Sequence, residues 1–87
     1  MANYSLLIRT PAAKELDALG TKAVRRRIVA RIRALAREPR PDGCQKLSGA
    51  ERYRLRQGPY RILYEVEDND RVVTVVKIAH RKDAYRP

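Results

Sequence analysis

The feature that most restricts what this chain can become is a change of hydrophobic period partway along it. Val24, Ile28, Ile32 and Leu35 recur at the spacing of one helix face. From Tyr53 onward the spacing drops to two. Tyr53 and Leu55 alternate with Arg52, Arg54 and Arg56, and Tyr60, Ile62, Tyr64 and Val66 follow in the same rhythm. Helical pattern early and strand pattern late predict an α+β layer fold. The 87 residues set one domain, 1–87, with a thin core.

The boundaries can be placed from local chemistry. Tyr4 to Ile8 is a short apolar, β-prone run, hence an N-terminal strand. Thr10 and Pro11 form a helix start, with Thr as cap and Pro in the first turn. Ala12, Leu16 and Leu19 share a face of that helix, and Gly20 ends it. Thr21 caps the second helix, which Pro39 and Pro41 stop. A loop is expected from Pro39 to about Gly49. Gly58 with Pro59, and Asp68 with Asn69 and Asp70, supply turns between strands. Val72 to Ala79 is rich in β-branched residues and reads as a central strand covered on both faces. The expected architecture is an N-terminal strand and two-helix hairpin packed on an antiparallel β-sheet.

Charge narrows the function. Twenty Lys and Arg against ten Asp and Glu give a formal charge of +10. Most of the cations are Arg, whose planar fork grips phosphate oxygens in pairs and stays protonated. A nucleic acid is therefore the expected partner. The single cysteine, Cys44, cannot form an internal disulfide, which fits a reducing cytoplasm. Met1 to Arg9 lacks a signal-peptide pattern, and no apolar run approaches the ~20 residues that cross a membrane. No His/carboxylate set has metal spacing and no Gly-rich phosphate loop occurs, so neither metal nor cofactor is expected.

Arg52, Arg54 and Arg56 should share one sheet face, where like charges repel unless an anion or a carboxylate intervenes. Glu51, Glu65 and Glu67 are the available carboxylates. Arg61 lies in the next strand, and Arg81 with Lys82 at the end of the last one, within reach of the same patch. Tyr53, Tyr60, Tyr64 and Tyr85 are interleaved with these cations, a mixture suited to RNA. Alternation assigns Tyr60 and Tyr64 to the core, whereas Tyr85 lies outside any apolar pattern. His80 is a single imidazole at a strand end.

Three runs carry a family resemblance. They are Lys46-Leu47-Ser48-Gly49, then Tyr53-Arg54-Leu55-Arg56-Gln57-Gly58-Pro59-Tyr60-Arg61-Ile62-Leu63-Tyr64, then His80-Arg81-Lys82-Asp83-Ala84-Tyr85-Arg86. Together they resemble the RelE/ParE superfamily of toxins from type II toxin–antitoxin systems, over nearly the whole chain. The resemblance implies a RelE-like fold and a small acidic, RelB-like antitoxin that wraps the toxin and reaches operator DNA itself. It implies one of two activities. RelE-like members enter the 70S ribosome A site and cleave mRNA; ParE-like members poison DNA gyrase. A non-catalytic nucleic-acid-binding module is a third reading.

The residues matching a RelE-like site are Arg54, Arg56, Arg61, Arg81 and Tyr85, with Arg52 nearby, which favours the nuclease branch. Well-known nucleases of the family often carry Lys at the positions of Arg52 and Arg54. Arg cannot shed a proton, so neither is given proton transfer. The resemblance then implies a metal-independent endoribonuclease, inhibiting translation and leaving 2′,3′-cyclic phosphate and 5′-hydroxyl ends. Arg61 and Arg81 would face the scissile phosphate, with Arg52, Arg54, Arg56 and Lys82 binding RNA. Tyr85 would act as base or stacking ring, with His80 as the other candidate acid or base.

Overall fold

The computed structural model describes residues 3–47 and 51–80. Strand β1 (Ser5–Ile8) leads into helix α1 (Thr10–Asp17) and helix α2 (Lys22–Ala34). Strands β2 (Cys44–Lys46), β3 (Arg52–Gln57), β4 (Tyr60–Glu67) and β5 (Val72–His80) follow. They form one five-stranded sheet in the order β1-β5-β4-β3-β2. All its neighbours are antiparallel except β1 and β5, which run parallel. The expected α+β architecture is present, with the helix pair on one face of the sheet.

The helix starts differ from each other. Thr10 does not cap α1: it is already helical, and the capping position belongs to Arg9, whose side chain makes no cap bond. Pro11 fills the first turn, where its missing N–H costs nothing. In α2, Thr21 Oγ1 accepts the Val24 N–H at 3.2 Å, as a capping Thr should. Ile28, Ile32 and Leu35 are buried along the inner face of α2. The helix then tightens, with Leu35, Ala36 and Arg37 N–H groups bonding to carbonyls three residues back.

The core lies between the helices and the inner face of β3, β4 and β5. Tyr53, Leu55, Ile62, Tyr64, Val73, Val75 and Ile78 meet Ala12, Ile28, Ile32 and Leu35 there. Tyr64 is fully buried and donates its hydroxyl to the Pro39 carbonyl at 2.8 Å. That bond ties the segment after α2 to the centre of the sheet. Burial pushes the Tyr64 phenol well above its ordinary range.

Two expectations need correction. The stretch after Pro39 is not loop throughout: Cys44–Lys46 pairs with β3 as an edge strand. Three residues cannot show a period. The β5 run is an interior strand, yet its outward face is covered only in part; Val72, Thr74 and Val76 are half-buried, Lys77 is exposed and Ala79 is buried. A register shift between Leu63 and Tyr64 places Leu63 opposite Lys77 and Tyr64 opposite Val75. Val76 is the extra residue, so the inward series passes from Val75 to Ile78. The bulge made the run look continuously apolar.

Strand β1 covers only Val72–Val75 of the β5 edge. Beyond it α1 takes over. Glu15 accepts the Ile78 N–H at 3.0 Å and the Lys77 ammonium at 2.7 Å, which satisfies a strand edge that would otherwise be open. Among the described residues no helix is long and apolar enough to cross a membrane.

Candidate nucleic-acid interface

The alternation of β3 decides where its side chains go. Tyr53 and Leu55 are buried under the helices, so Arg52, Arg54 and Arg56 stand on the open face of the sheet. The hairpin to β4 is closed by Gly58 at φ +57°, a conformation glycine adopts without strain, followed by Pro59. This two-residue connection sets the register: Arg52 faces Glu65, Arg54 faces Leu63, and Arg56 faces Arg61. Two cations directly opposite one another are destabilising.

Charge compensation runs out along this face. Arg52 is held by Glu65, at 2.7 Å from Nη2 and 3.2 Å from Nε. Glu65 also lies 3.8 Å from Arg9. Arg54 donates to the neutral amide oxygen of Gln45. Arg56 and Arg61, at the hairpin end, have no carboxylate partner among the described residues.

Arg61 is the unusual residue. It is only 5% exposed. Its Nη1 donates to the Tyr60 carbonyl at 3.2 Å and, at 3.5 Å, to that of Gly58. Its Nε is buried and has no partner among the described residues. A buried cation without a carboxylate is costly. The hairpin backbone holds it in place, and a bound anion would supply the missing charge.

His80 is not brought into this cluster. It pairs in register with Tyr60, whereas Arg61 pairs with Ala79. Alternation therefore sends His80 to the side of the sheet opposite Arg61. Its ring meets the Tyr60 ring edge-on at 5.5 Å. Arg81, Lys82 and Tyr85 lie outside the described residues. Of the tyrosines thought to stack on bases, Tyr53 is buried and stacks on Tyr64 at 5.7 Å, so its ring serves the core.

Two arginines gained importance only in the structure. Arg40 donates to Asp68 at 2.8 and 3.1 Å and to the Tyr53 hydroxyl at 2.8 Å. Asp68 also accepts from Tyr4 at 2.8 Å. Arg40 sits between two prolines, where no pattern marks it. Arg31 is the second: it lines a cavity with Gly43, Gln45, Arg54 and Arg56. Its signal was readable, since it stands three residues after Ile28 and four before Leu35, inside the apolar stripe of α2. No cluster of three or more His, Cys, Asp or Glu suited to a metal occurs among the described residues.

Comparison with known proteins agrees with the fold. A family model described as ParE toxin of type II toxin–antitoxin system, parDE, matches residues 6–85. Toxin RelG of Mycobacterium tuberculosis is 29% identical over 95% of this chain and 97% of its own length. Among solved structures, the archaeal RelE–RelB complex from Pyrococcus horikoshii OT3 superposes with a TM-score of 0.83. It is 32% identical over 95% of this chain and 99% of that one. The toxin–antitoxin complex RelBE2 of Mycobacterium tuberculosis gives a TM-score of 0.81 at 28% identity, over 95% and 97% of the two chains.

Proposed function

The chain belongs to the ParE toxin family of type II toxin–antitoxin systems, within the RelE/ParE superfamily, and on that premise we propose that it is a ribosome-dependent mRNA endonuclease of the RelE-like branch. The observation that carries the proposal is the arginine cluster beside the β3–β4 hairpin, in which Arg56 faces the buried Arg61 with no carboxylate partner for either among the described residues and Arg54 stands alongside. A surface built only to dock a protein has no need of a buried cation facing another cation. A phosphodiester, whose charge grows toward the transition state, does.

RNA carries its own nucleophile, the 2′-hydroxyl. Cleavage requires that hydroxyl to lose a proton, the phosphoryl oxygens to be stabilised and the 5′-oxygen to gain a proton. Arg61 suits the second task. Two carbonyls already fix its guanidinium, so little reorganisation is needed when charge develops. Arg56, directly opposite, and Arg54 hold the same phosphate or its neighbour, Arg52 extends the contact along β3, and Lys82 is a further RNA-binding cation. Arg81 joins Arg61 at the scissile phosphate. Tyr85 is our general base, since the cations near it in sequence, Arg81, Lys82 and Arg86, would favour phenolate. His80 is the weaker candidate, because its register turns it from the Arg61 side. The products are a 2′,3′-cyclic phosphate and a 5′-hydroxyl, with the arginines rather than a metal carrying the phosphate charge.

A site so poor in acid/base groups should be slow on free RNA and should rely on the ribosome to order its substrate. The proposed setting is thus the cytoplasm, and the proposed partner an acidic RelB-type antitoxin. Several similar structures are RelE–RelB complexes. The family description names ParE, which supports gyrase inhibition as the second reading.

The test is a primer-extension map of a translating message in a cell-free system, with wild type, Arg61→Gln and Tyr85→Phe. Cuts in A-site codons that fade in both variants are the expected result. An intact message together with loss of DNA supercoiling by gyrase would instead establish the ParE-like activity.

A further inference from the structure

The cationic end of the sheet does not stop at its open face. Arg54 and Arg56 also line a cavity of about 240 Å³, closed by Gly43, Gln45 and Arg31 of α2. That is the volume of roughly eight waters at ~30 Å³ each, ample for a tetrahedral oxyanion with part of its hydration. Three of the five lining residues are Arg and none is acidic. A hollow near the start of β3 has the reverse composition, with Glu51, Glu65 and Glu67 in its wall.

Arg31 stands where α2 should carry an apolar residue, in line with Val24, Ile28 and Leu35. It is half-buried, its Nε is buried, and that N–H has no partner among the described residues. Nor does Arg31 have a carboxylate partner there. A cation in this position weakens the helix stripe and leaves a buried donor unsatisfied, each a cost to folding. An oxyanion in the cavity supplies the missing charge, its oxygens taken by the guanidinium fork.

We propose that this cavity is a second phosphate-binding site, with Arg31 as its binding residue and an RNA backbone phosphate as its ligand. The inference rests on the reading of the arginine face as an RNA surface and extends it. Arg54 and Arg56 belong to both sites, so the two positions are adjacent, and successive phosphates of one strand can occupy them. The pocket gives the RNA a fixed register across the edge of β3, which the exposed face alone does not.

The experiment titrates the full-length, isotope-labelled protein with a short 2′-O-methyl RNA, which binds and cannot be cleaved. Arginine Nε–H resonances report each guanidinium separately. Affinity against salt is measured in parallel for wild type, Arg31→Gln, Arg31→Lys and the exposed charge control Arg37→Gln. The Arg31 Nε–H signal should move on binding. Arg31→Gln should weaken binding by about tenfold. It should also flatten the logarithmic salt slope by about 0.7, one phosphate contact on a single strand. Arg31→Lys should recover the slope but only part of the affinity, because it keeps the charge and loses the fork. Arg37→Gln should change affinity less than twofold.

If wild type binds the RNA and Arg31→Gln binds it equally with an unmoved Nε–H signal, the second site is overturned and the arginine face stands. If wild type binds no RNA, the reading beneath it falls as well. If Arg31→Gln weakens an acidic antitoxin peptide but not RNA, the pocket takes carboxylates and the phosphate assignment is wrong.

Discussion

The two ends of the sheet use the same side chains to opposite effect. Where β3 begins and β4 ends, Arg40 is gripped by Asp68 at two points, bonds the Tyr53 hydroxyl and lies 5.1 Å over the Tyr53 ring. Glu51 takes the Tyr53 hydroxyl and the Lys46 ammonium, both at 3.2 Å. Arg40, Lys46 and Arg52 each have a carboxylate there. Where β3 turns into β4, Arg56 faces Arg61 with no carboxylate partner for either among the described residues, and Arg31 stands behind. The first end is a clasp between the segment after α2 and the β4–β5 turn. The second is a charge excess held in place by backbone. The same arginine is structural or functional according to whether the fold supplies its counter-ion.

The sharpest way to break this contrast is to neutralise one arginine at each end. Arg61→Gln should lower A-site cleavage by about 100-fold or more, the scale of losing one preorganised donor at a developing oxyanion. Its stability should hold within about 1 kcal/mol or rise, since a buried, unpaired charge disappears. Arg40→Ala should behave in reverse. Removing its bonds to Asp68 and Tyr53 should cost about 1–2 kcal/mol of stability, discounted for partial exposure. Cleavage per folded molecule should be unchanged. Thermal melts beside primer-extension rates separate the two. If Arg40→Ala abolished cutting in a fully folded protein, the division of labour would be wrong.

Acid should attack the clasp alone. Arg40, and then Tyr4, hold the Asp68 carboxyl below its ordinary range; Lys46, and then Tyr53, do the same for Glu51. A folded-state pKa below the unfolded one means stability that is present above the unfolded value and lost as pH falls through the folded one. Stability should therefore be flat from neutral pH down to the ordinary carboxylate range near ~4 and decline below it. The decline should be shallower in Asp68→Asn, as denaturant melts across acid pH would show. An equally steep decline in that variant would remove the clasp as its cause.

The unequal legibility of the two ends has a physical origin. The alternation of Tyr53 and Leu55 with three arginines was plain in the sequence, because a strand's period is short and the arginines are adjacent in it. The stripe of Ile28, Ile32 and Leu35 was equally plain, and Thr21 behaved as its chemistry demands. The clasp was not legible, because Tyr4, Arg40, Tyr53 and Asp68 are joined by topology across 64 residues of chain. Nor could a period reveal the β5 bulge, which spends one residue, Val76, outside the alternation. His80 and Arg61 are both site candidates in the sequence. Only the register, with Tyr60 opposite His80 and Ala79 opposite Arg61, places them on different sides.

Arg52 is the residue that grades the comparison, because it belongs in sequence to the arginine face and in bonding to the clasped end. Its guanidinium lies 2.7 Å from Glu65, and both side chains are partly exposed. Such a pair contributes about 0.2–1 kcal/mol in water, screened by salt. Arg52→Gln should accordingly lower stability by no more than that and reduce cleavage only a few-fold, far less than Arg56→Gln. A phosphate approaching Arg52 meets Glu65 as well, so the net attraction is a fraction of that at an uncompensated arginine. Glu65→Gln supplies the reverse arm. It frees Arg52 and should raise RNA affinity about two- to fivefold at low salt, an advantage that fades as the Debye length shortens. If Arg52→Gln proved as damaging as Arg56→Gln, RNA would be displacing Glu65 from Arg52. Counter-ion supply in the free protein would then not decide which arginines of this sheet are functional.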